Sequence, residues 1–375
     1  MRQNKINLDY LRFWKEIFLF LKIAFIKNFI SDKTANKSGS ILIVNTCLIG
    51  DFMASVLAIR DFIERNNDKK IDIVVSPPLK PLVQKIIGVR NVFVAKSVYE
   101  RKLETVAEEN QSPDIYEKII VLRISPEAYR IIKHIIAAKI ETGLWHFLKY
   151  GFHIGGKLIA RRTPKQLREI NFEMLGGKMR DIPFEEIFQF EKIDYAKVTQ
   201  LSALDIKQKK IIIHTGLTSW SMKKWSDEKW IKLLRLIHQG YDSKIIFIGA
   251  KEEEASYAYI SSRLNFKIYS LIGQINIAEL MLVLKMSDYF IGIDSGPRNM
   301  ADIAGTKSVI ILGPGLPIFQ PTNGKSIVID KFCGRGLYQL YFHKKNSFIS
   351  RVEVGEVYEA FKNLISVKSR ESNQI

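Results

Sequence analysis

From Ile41 onward, short runs of Ile and Val alternate with stretches whose apolar residues recur at helical spacing. Runs of that length and composition suit strands covered on both faces, and the intervening period suits helices packed on one side. ILIVN (41–45), IDIVVS (71–76), NVFVA (91–95) and KIIVLRI (118–124) read as strands, with helices over 51–65, 81–87, 126–138 and 164–174. Residues 99–113 are a charged surface excursion, and 177–208 lose the rhythm and connect two blocks. The alternation restarts with strands KIIIHT (210–215), KIIFIG (244–249), KIYSLI (267–272), YFIGI (289–293) and SVIILG (308–313). Helices fit 227–239, 252–263, 277–286 and 297–304, and the amphipathic stretch 353–366 closes the chain. Two successive βαβ blocks predict an α/β protein with two parallel-sheet domains, over 41–195 and 205–350, facing one another. A terminal helix and tail occupy 351–375.

The segment before these blocks behaves differently. In LRFWKEIFLFLKIAFIKNFI (11–30), Arg12, Lys15, Glu16, Lys22 and Lys27 fall within an arc of about 140° on a helical wheel. The remainder is mostly Phe, Leu, Ile and Trp. Charges that cost roughly 2.5–3.5 kcal/mol each at a bilayer centre argue against a spanning helix, and no small-residue cleavage site marks a signal peptide. The pattern predicts an interfacial helix lying on an anionic leaflet, ahead of the alternative of a helix packed on its own domain. The polar stretch 31–40 links it to the globular part, so that residues 1–40 form a membrane-surface segment.

Length and charge narrow the partners. At 375 residues the chain exceeds one ordinary core. A net charge of +18 implies an anionic partner, although lysines scattered over the surface give the same total. No zinc finger, aromatic-and-basic RNA motif or helix-turn-helix is present, which excludes nucleic acid as the favoured partner. The cysteines, Cys47 and Cys333, build no disulfide framework and suit a reducing cytosol. The histidines lack metal-ligand spacing and no Asp-x-Asp occurs, so no metal site is expected.

Candidate chemistry gathers at strand ends. In FIGIDSGPRNMADIAG (290–305), Asp294 ends a buried strand where open α/β sheets build ligand sites. Ser295 and Gly296 let the next helix turn its N–H groups toward an anion. Asp294 repels phosphate, so it either accepts from a sugar hydroxyl or caps the helix. In NTCLIGDFMAS (45–55), Gly50 permits a turn and Asp51 opens a helix. Asp51 fits a general base for a hydroxyl, but its spacing alone favours an N-cap. The loop HTGLTSWSMKKWSDEKW (214–230) supplies Thr218, Ser219 and Ser221 hydroxyls with Lys223 and Lys224 cations, which neutralise a departing diphosphate or simply make a solvated basic loop. Trp225 and Trp230 read as core. Among the acids of IGAKEEEA (248–255), Glu252 is the candidate for a ribose diol, against the alternative of helix-dipole complementation.

Taken in order, LIGDFMASVLAIRDF (48–62), KKWSDEKWIKLL (223–234), SLIGQINIAELMLVLKMSDYFIGIDSGP (270–297) and ILGPGLPIFQP (311–321) resemble glycosyltransferase family 9, the ADP-heptose:lipopolysaccharide heptosyltransferases. The resemblance implies a GT-B fold, two Rossmann-like domains about a cleft, with acceptor on the N-domain and nucleotide sugar on the C-domain. It implies a metal-independent inverting transferase with no cofactor beyond its co-substrate, ADP-heptose. By position Asp51 matches the family's base, reversing the reading from spacing. Thr218, Ser219 and Lys223 match residues near the donor diphosphate, and Asp294, Ser295 and Gly296 match the donor-binding turn. The expected partners are the nucleotide sugar, an anionic lipid-linked saccharide acceptor and the cytoplasmic face of the membrane. The chain departs from the family at Asn299, where His is usual, at Thr215 and at Leu57, where Pro is frequent. Asn299 donates a hydrogen bond but cannot become a cation, which leaves as alternatives a GT-B transferase or epimerase acting on another nucleotide sugar such as UDP-N-acetylhexosamine, or a non-catalytic saccharide- or anionic-lipid-binding member.

Overall fold

Ser40–Asn45 (β1) is buried at every position, as a strand covered on both faces must be, and the first sheet is built around it. The computed structural model describes residues 39–95, 115–123, 137–142, 165–202, 208–216, 224–313, 324–331 and 348–371, with Phe18, Lys22, Ala128, Ile131, Ile132 and Ile135. The chain divides into two compact units, Met1–Gln189 and Phe190–Ile375.

In the first unit β1 leads into α1 (Ile49–Arg65), then β2 (Lys70–Val75), α2 (Lys80–Val83), β3 (Val89–Val94), β4 (Tyr116–Val121) and β5 (Ala137–Thr142). The short helices α3 (Leu167–Met174) and α4 (Phe184–Ile187) follow. The strands pair in parallel in the order β3-β2-β1-β4-β5. Leu42, Val44, Ile119 and Val121 on one face pack with Ala128, Ile131 and Ile132. Asp72 is fully buried inside β2 and is satisfied by Arg90 Nη2 at 2.6 Å, the Tyr116 hydroxyl at 2.9 Å and the Asn91 N–H at 3.1 Å. That network ties three strands together, as a buried charge requires.

The second unit opens with α5 (Lys192–Ser202) and continues β6 (Lys209–His214), α6 (Asp227–Gly240), β7 (Ser243–Phe247), α7 (Glu254–Ser261), β8 (Tyr269–Ser270) and α8 (Ile277–Lys285). Then come β9 (Tyr289–Ile293), α9 (Gly296–Ala304), β10 (Lys307–Leu312), β11 (Ser326–Asp330) and α10 (Val354–Glu371). The parallel order is β11-β10-β9-β6-β7-β8, the strand order of a dinucleotide-binding sheet. Local signals explain the helix starts. Ser226 accepts from the Lys229 N–H, and Asn276 with Glu279 forms a reciprocal capping box on α8. Trp225 and Trp230 are fully buried and meet edge to face at 5.0 Å, with the Trp225 indole N–H donating to the Val352 carbonyl.

Several expectations change. Residues 137–142 form β5, whereas the helical reading of 126–138 runs into its first two positions. The segment AAKIET has a weak strand composition, and pairing with β4 overrides it. β11 was not anticipated. The helix expected at 81–87 is instead a short turn at Pro77–Leu79 followed by α2, because Pro77 and Pro78 start the turn early. The segment 11–30, expected as an interfacial helix, lies outside the described residues except for Phe18 and Lys22, which are helical and exposed. No helix among the described residues is long and apolar enough to cross a membrane.

Candidate active site

In the second unit the strand order reverses between β6 and β9, which is where parallel α/β sheets bind ligands. The carboxyl ends of those strands carry His214, Thr215 and Gly216 on one side and Asp294, Ser295 and Gly296 on the other. Gly216 has φ +87° and lies so close to Ile293 that a Cβ would meet its Cδ1 at 2.0 Å. Only glycine fits there. His214, almost fully buried, bridges the two ends: its Nδ1 is 3.0 Å from Ser295 Oγ and its Nε2 is 3.4 Å from Glu253 Oε1. Glu253 accepts further from the backbone N–H groups of Gly216 at 3.0 Å and Ala250 at 3.2 Å. A buried carboxylate thus holds the turn after β6 to the turn after β7.

Asp294 is not the cap of α9. The N-cap is Ser295, and Asp294 Oδ1 accepts from Arg298 Nη2 at 2.6 Å, one turn into the helix. The Arg298 guanidinium is 2% exposed and faces Asp294. Its Nε and Nη1 are buried with no hydrogen-bond partner among the described residues. The hydroxyl of Ser295 also donates to the Ile293 carbonyl at 3.1 Å and makes no cap bond. The α9 start, with its partial positive charge, therefore has no side-chain acceptor from its own cap. Gly296 and Asn299 are half-buried beside it.

Thr218, Ser219 and Lys223 lie outside the described residues. Lys224, next along, has its Nζ 3.0 Å from Asp227 Oδ2, while Asp227 Oδ1 accepts from Ser256 Oγ at 2.7 Å. Glu252 is exposed in the turn Lys251–Glu253, and its neighbour Glu253 is the acid inside the network. Sequence reasoning missed Glu253 because three consecutive acids offer no pattern to separate them.

The first unit reverses its strand order between β1 and β4. Asp51 stands there, in the first turn of α1, paired with Arg123 just beyond β4. The N-cap of α1 is Leu48, not Asp51, and the helix begins at Ile49, so the capping reading of Asp51 fails. Both partners are partly exposed, Asp51 at 28% and Arg123 at 51%. Beneath them Cys47 Sγ donates to Asn45 Oδ1 and Asn45 Nδ2 to Ser55 Oγ, each at 2.8 Å. Burial, with the nearby Asp51 charge second, pushes the Cys47 thiol well above its usual range, so it stays protonated. Arg123 went unnoticed in the sequence; its signal is a cation directly after a buried strand at the reversal.

Among the described residues, no three His, Cys, Asp or Glu side chains are grouped to hold a metal ion. No curated protein matches the sequence. Among solved structures the chain is similar to a glycosyl transferase family 9 protein of Veillonella parvula, with 13% identity, 87% of this chain and 96% of that chain covered, and a TM-score of 0.68. It is also similar to E. coli ADP-heptose LPS heptosyltransferase II, with 17% identity, 88% and 99% covered and a TM-score of 0.66. E. coli heptosyltransferase WaaC with ADP gives 15% identity, 87% and 99% covered and a TM-score of 0.62. These likenesses establish the fold, two parallel-sheet α/β units as in GT-B heptosyltransferases. Residues 169–333 match the family described as glycosyltransferase family 9 (heptosyltransferase). The likeness to this family of glycosyltransferases is carried by that stretch of the chain.

Proposed function

We propose that the protein transfers a heptose-like sugar from a nucleotide-diphosphate donor, ADP-heptose first, to a hydroxyl of a lipid-linked saccharide such as a lipopolysaccharide core. The observation that carries this reading is the β9–α9 turn. At the reversal of the second sheet, a helix begins with its N-cap hydroxyl engaged elsewhere, and its first-turn N–H groups suit a diphosphate. The ADP in the WaaC structure supports the nucleotide.

In the reaction, Asp51 takes the proton of the acceptor hydroxyl as its oxygen attacks the anomeric carbon. The bond from that carbon to the diphosphate oxygen breaks on the opposite side, inverting the centre. The electron pair leaves with the diphosphate, whose charge is met by the α9 start and by Lys223, without a metal ion. Thr218 and Ser219 donate to the diphosphate, Asp294 and Asn299 orient the sugar, and Glu252 holds the ribose. Arg123 orients Asp51.

Asn299 favours a second reading, a different nucleotide sugar such as UDP-N-acetylhexosamine. Thermal shift against ADP- and UDP-sugars separates the two, because the true donor raises the melting temperature. The proposal fails if neither class stabilises the protein and no sugar is transferred. The enzyme would work at the cytoplasmic face of the membrane, held by its N-terminal segment and positive charge. Deleting residues 1–30 should move it to the soluble fraction; unchanged partitioning refutes that anchor.

A further inference from the structure

Serine at an N-cap ordinarily turns its oxygen onto the N–H groups of its own helix. Ser295 occupies the N-cap of α9 with extended backbone, φ −158° and ψ 176°, yet makes no such bond. Its oxygen is instead 3.0 Å from His214 Nδ1 and 3.1 Å from the Ile293 carbonyl. The single hydroxyl proton serves one of these contacts, and in either arrangement the oxygen is turned away from the first turn of α9. The imidazole cannot easily swing aside. It is 5% exposed, and on its other edge Glu253 is fixed by two backbone N–H groups.

We propose that His214 is a positioning residue that diverts the Ser295 hydroxyl from α9, keeping the helix start uncapped for the donor diphosphate. Without it, Ser295 rotates to satisfy the helix and competes with the ligand for the same N–H groups. The inference rests on the reading of the β9–α9 turn as the donor site. It assigns no contact between His214 and the donor.

Two isosteric variants isolate the effect. His214→Gln keeps a polar atom near Nε2, facing Glu253, and loses the one at Nδ1. His214→Asn keeps the position of Nδ1. With ADP as the probe in titration calorimetry on the full chain, His214→Gln should weaken binding about fivefold, the size of an ordinary cap bond. His214→Asn should bind more tightly than His214→Gln. The double variant His214→Gln/Ser295→Ala should recover most of the loss, because the competing cap is gone. A merely structural histidine would not be rescued by removing a second hydrogen-bonding group. Equal affinity of His214→Gln and wild type, or a double variant no tighter than the single, overturns the proposal. If His214→Gln does not fold, a crystal structure of the wild type with ADP decides. Ser295 Oγ on His214 with phosphate oxygens on the Gly296 or Arg298 N–H supports the inference, and Oγ on the helix or on the phosphate overturns it. A wild type that binds neither ADP nor UDP refutes the donor-site reading, and this inference with it. Failure of the rescue alone leaves the donor site standing.

Discussion

The two sheets reverse their strand order in the same way but furnish the reversal differently. In the second unit the charged pair Asp294–Arg298 is nearly sealed, and His214, Glu253 and Ser295 are locked into one another. In the first unit the pair Asp51–Arg123 stands partly in solvent above a small neutral network of Asn45, Cys47 and Ser55. The contrast fits the division of labour proposed above between donor and acceptor sides. A fixed cradle suits a diphosphate whose geometry changes little, because preorganised dipoles need no rearrangement during reaction. A carboxylate that must receive a proton has to be reachable by its substrate.

The largest expected effect tests that division directly. Asp51→Ala should lower turnover on the order of 10²–10⁴-fold while ADP affinity, by calorimetry, stays within a factor of about two; full turnover removes Asp51 from the mechanism. Next, Asp294→Ala strands the buried Arg298 charge and should cost about 3–5 kcal/mol in urea unfolding. Adding Arg298→Met to that variant should return part of the loss; no recovery would mean that the pair is not the cause. Gly216→Ala drives a methyl into Ile293 and imposes a left-handed backbone on alanine, for about 1–3 kcal/mol by the same measurement. An unchanged midpoint there would show that the strand ends can part.

Acid should bear on the first unit through Asp61. Burial pushes its carboxyl up, but hydrogen bonds from Arg180 and Arg65 outweigh this and hold it below its usual value. A carboxylate so lowered stabilises the fold above its unfolded-chain value, about 3.9, and loses that contribution as pH falls through the lower folded value. Asp61→Asn should therefore flatten the acid limb of stability against pH; identical limbs would discount the cluster. The smallest effect belongs to Arg123→Met. Its exposed pair should contribute less than about 1 kcal/mol to folding, and a loss as large as that of Asp294→Ala would erase the contrast between the two reversals.

The alternation of strands and helices was legible because buried parallel strands need unbroken β-branched runs. YFIGI matches β9 residue for residue. What escaped lacked that signature. β5 has only Ile140 and Thr142 as β-branched residues among Ala, Lys and Glu and takes its conformation from pairing with β4, and β8 has two residues. At the site, the turn after β9 could be placed, but not who pairs with whom. Asp294 and Arg298 are four apart, a spacing that allows an ion pair on a helix, yet nothing in the letters says that the arginine is buried. Likewise Glu253 differs from Glu252 only by the rotation of a short turn that points it toward His214. Asp51 was a cap by residue type and a base by resemblance; the observed cap at Leu48 removes the first reading and leaves the second to experiment.

The paired indoles of Trp225 and Trp230 make the protein its own optical gauge. They are two of the chain's five tryptophans, and Trp225 directly follows the lysine pair 223–224. Aromatic rings held edge to face at 5.0 Å couple electronically, so their near-ultraviolet dichroism reports their mutual angle. The Trp225 N–H is moored to Val352, just before α10, so a shift at either end of that tether changes the signal. A rearrangement of either indole or of the segment at Val352 can thus be followed in real time, with no label attached.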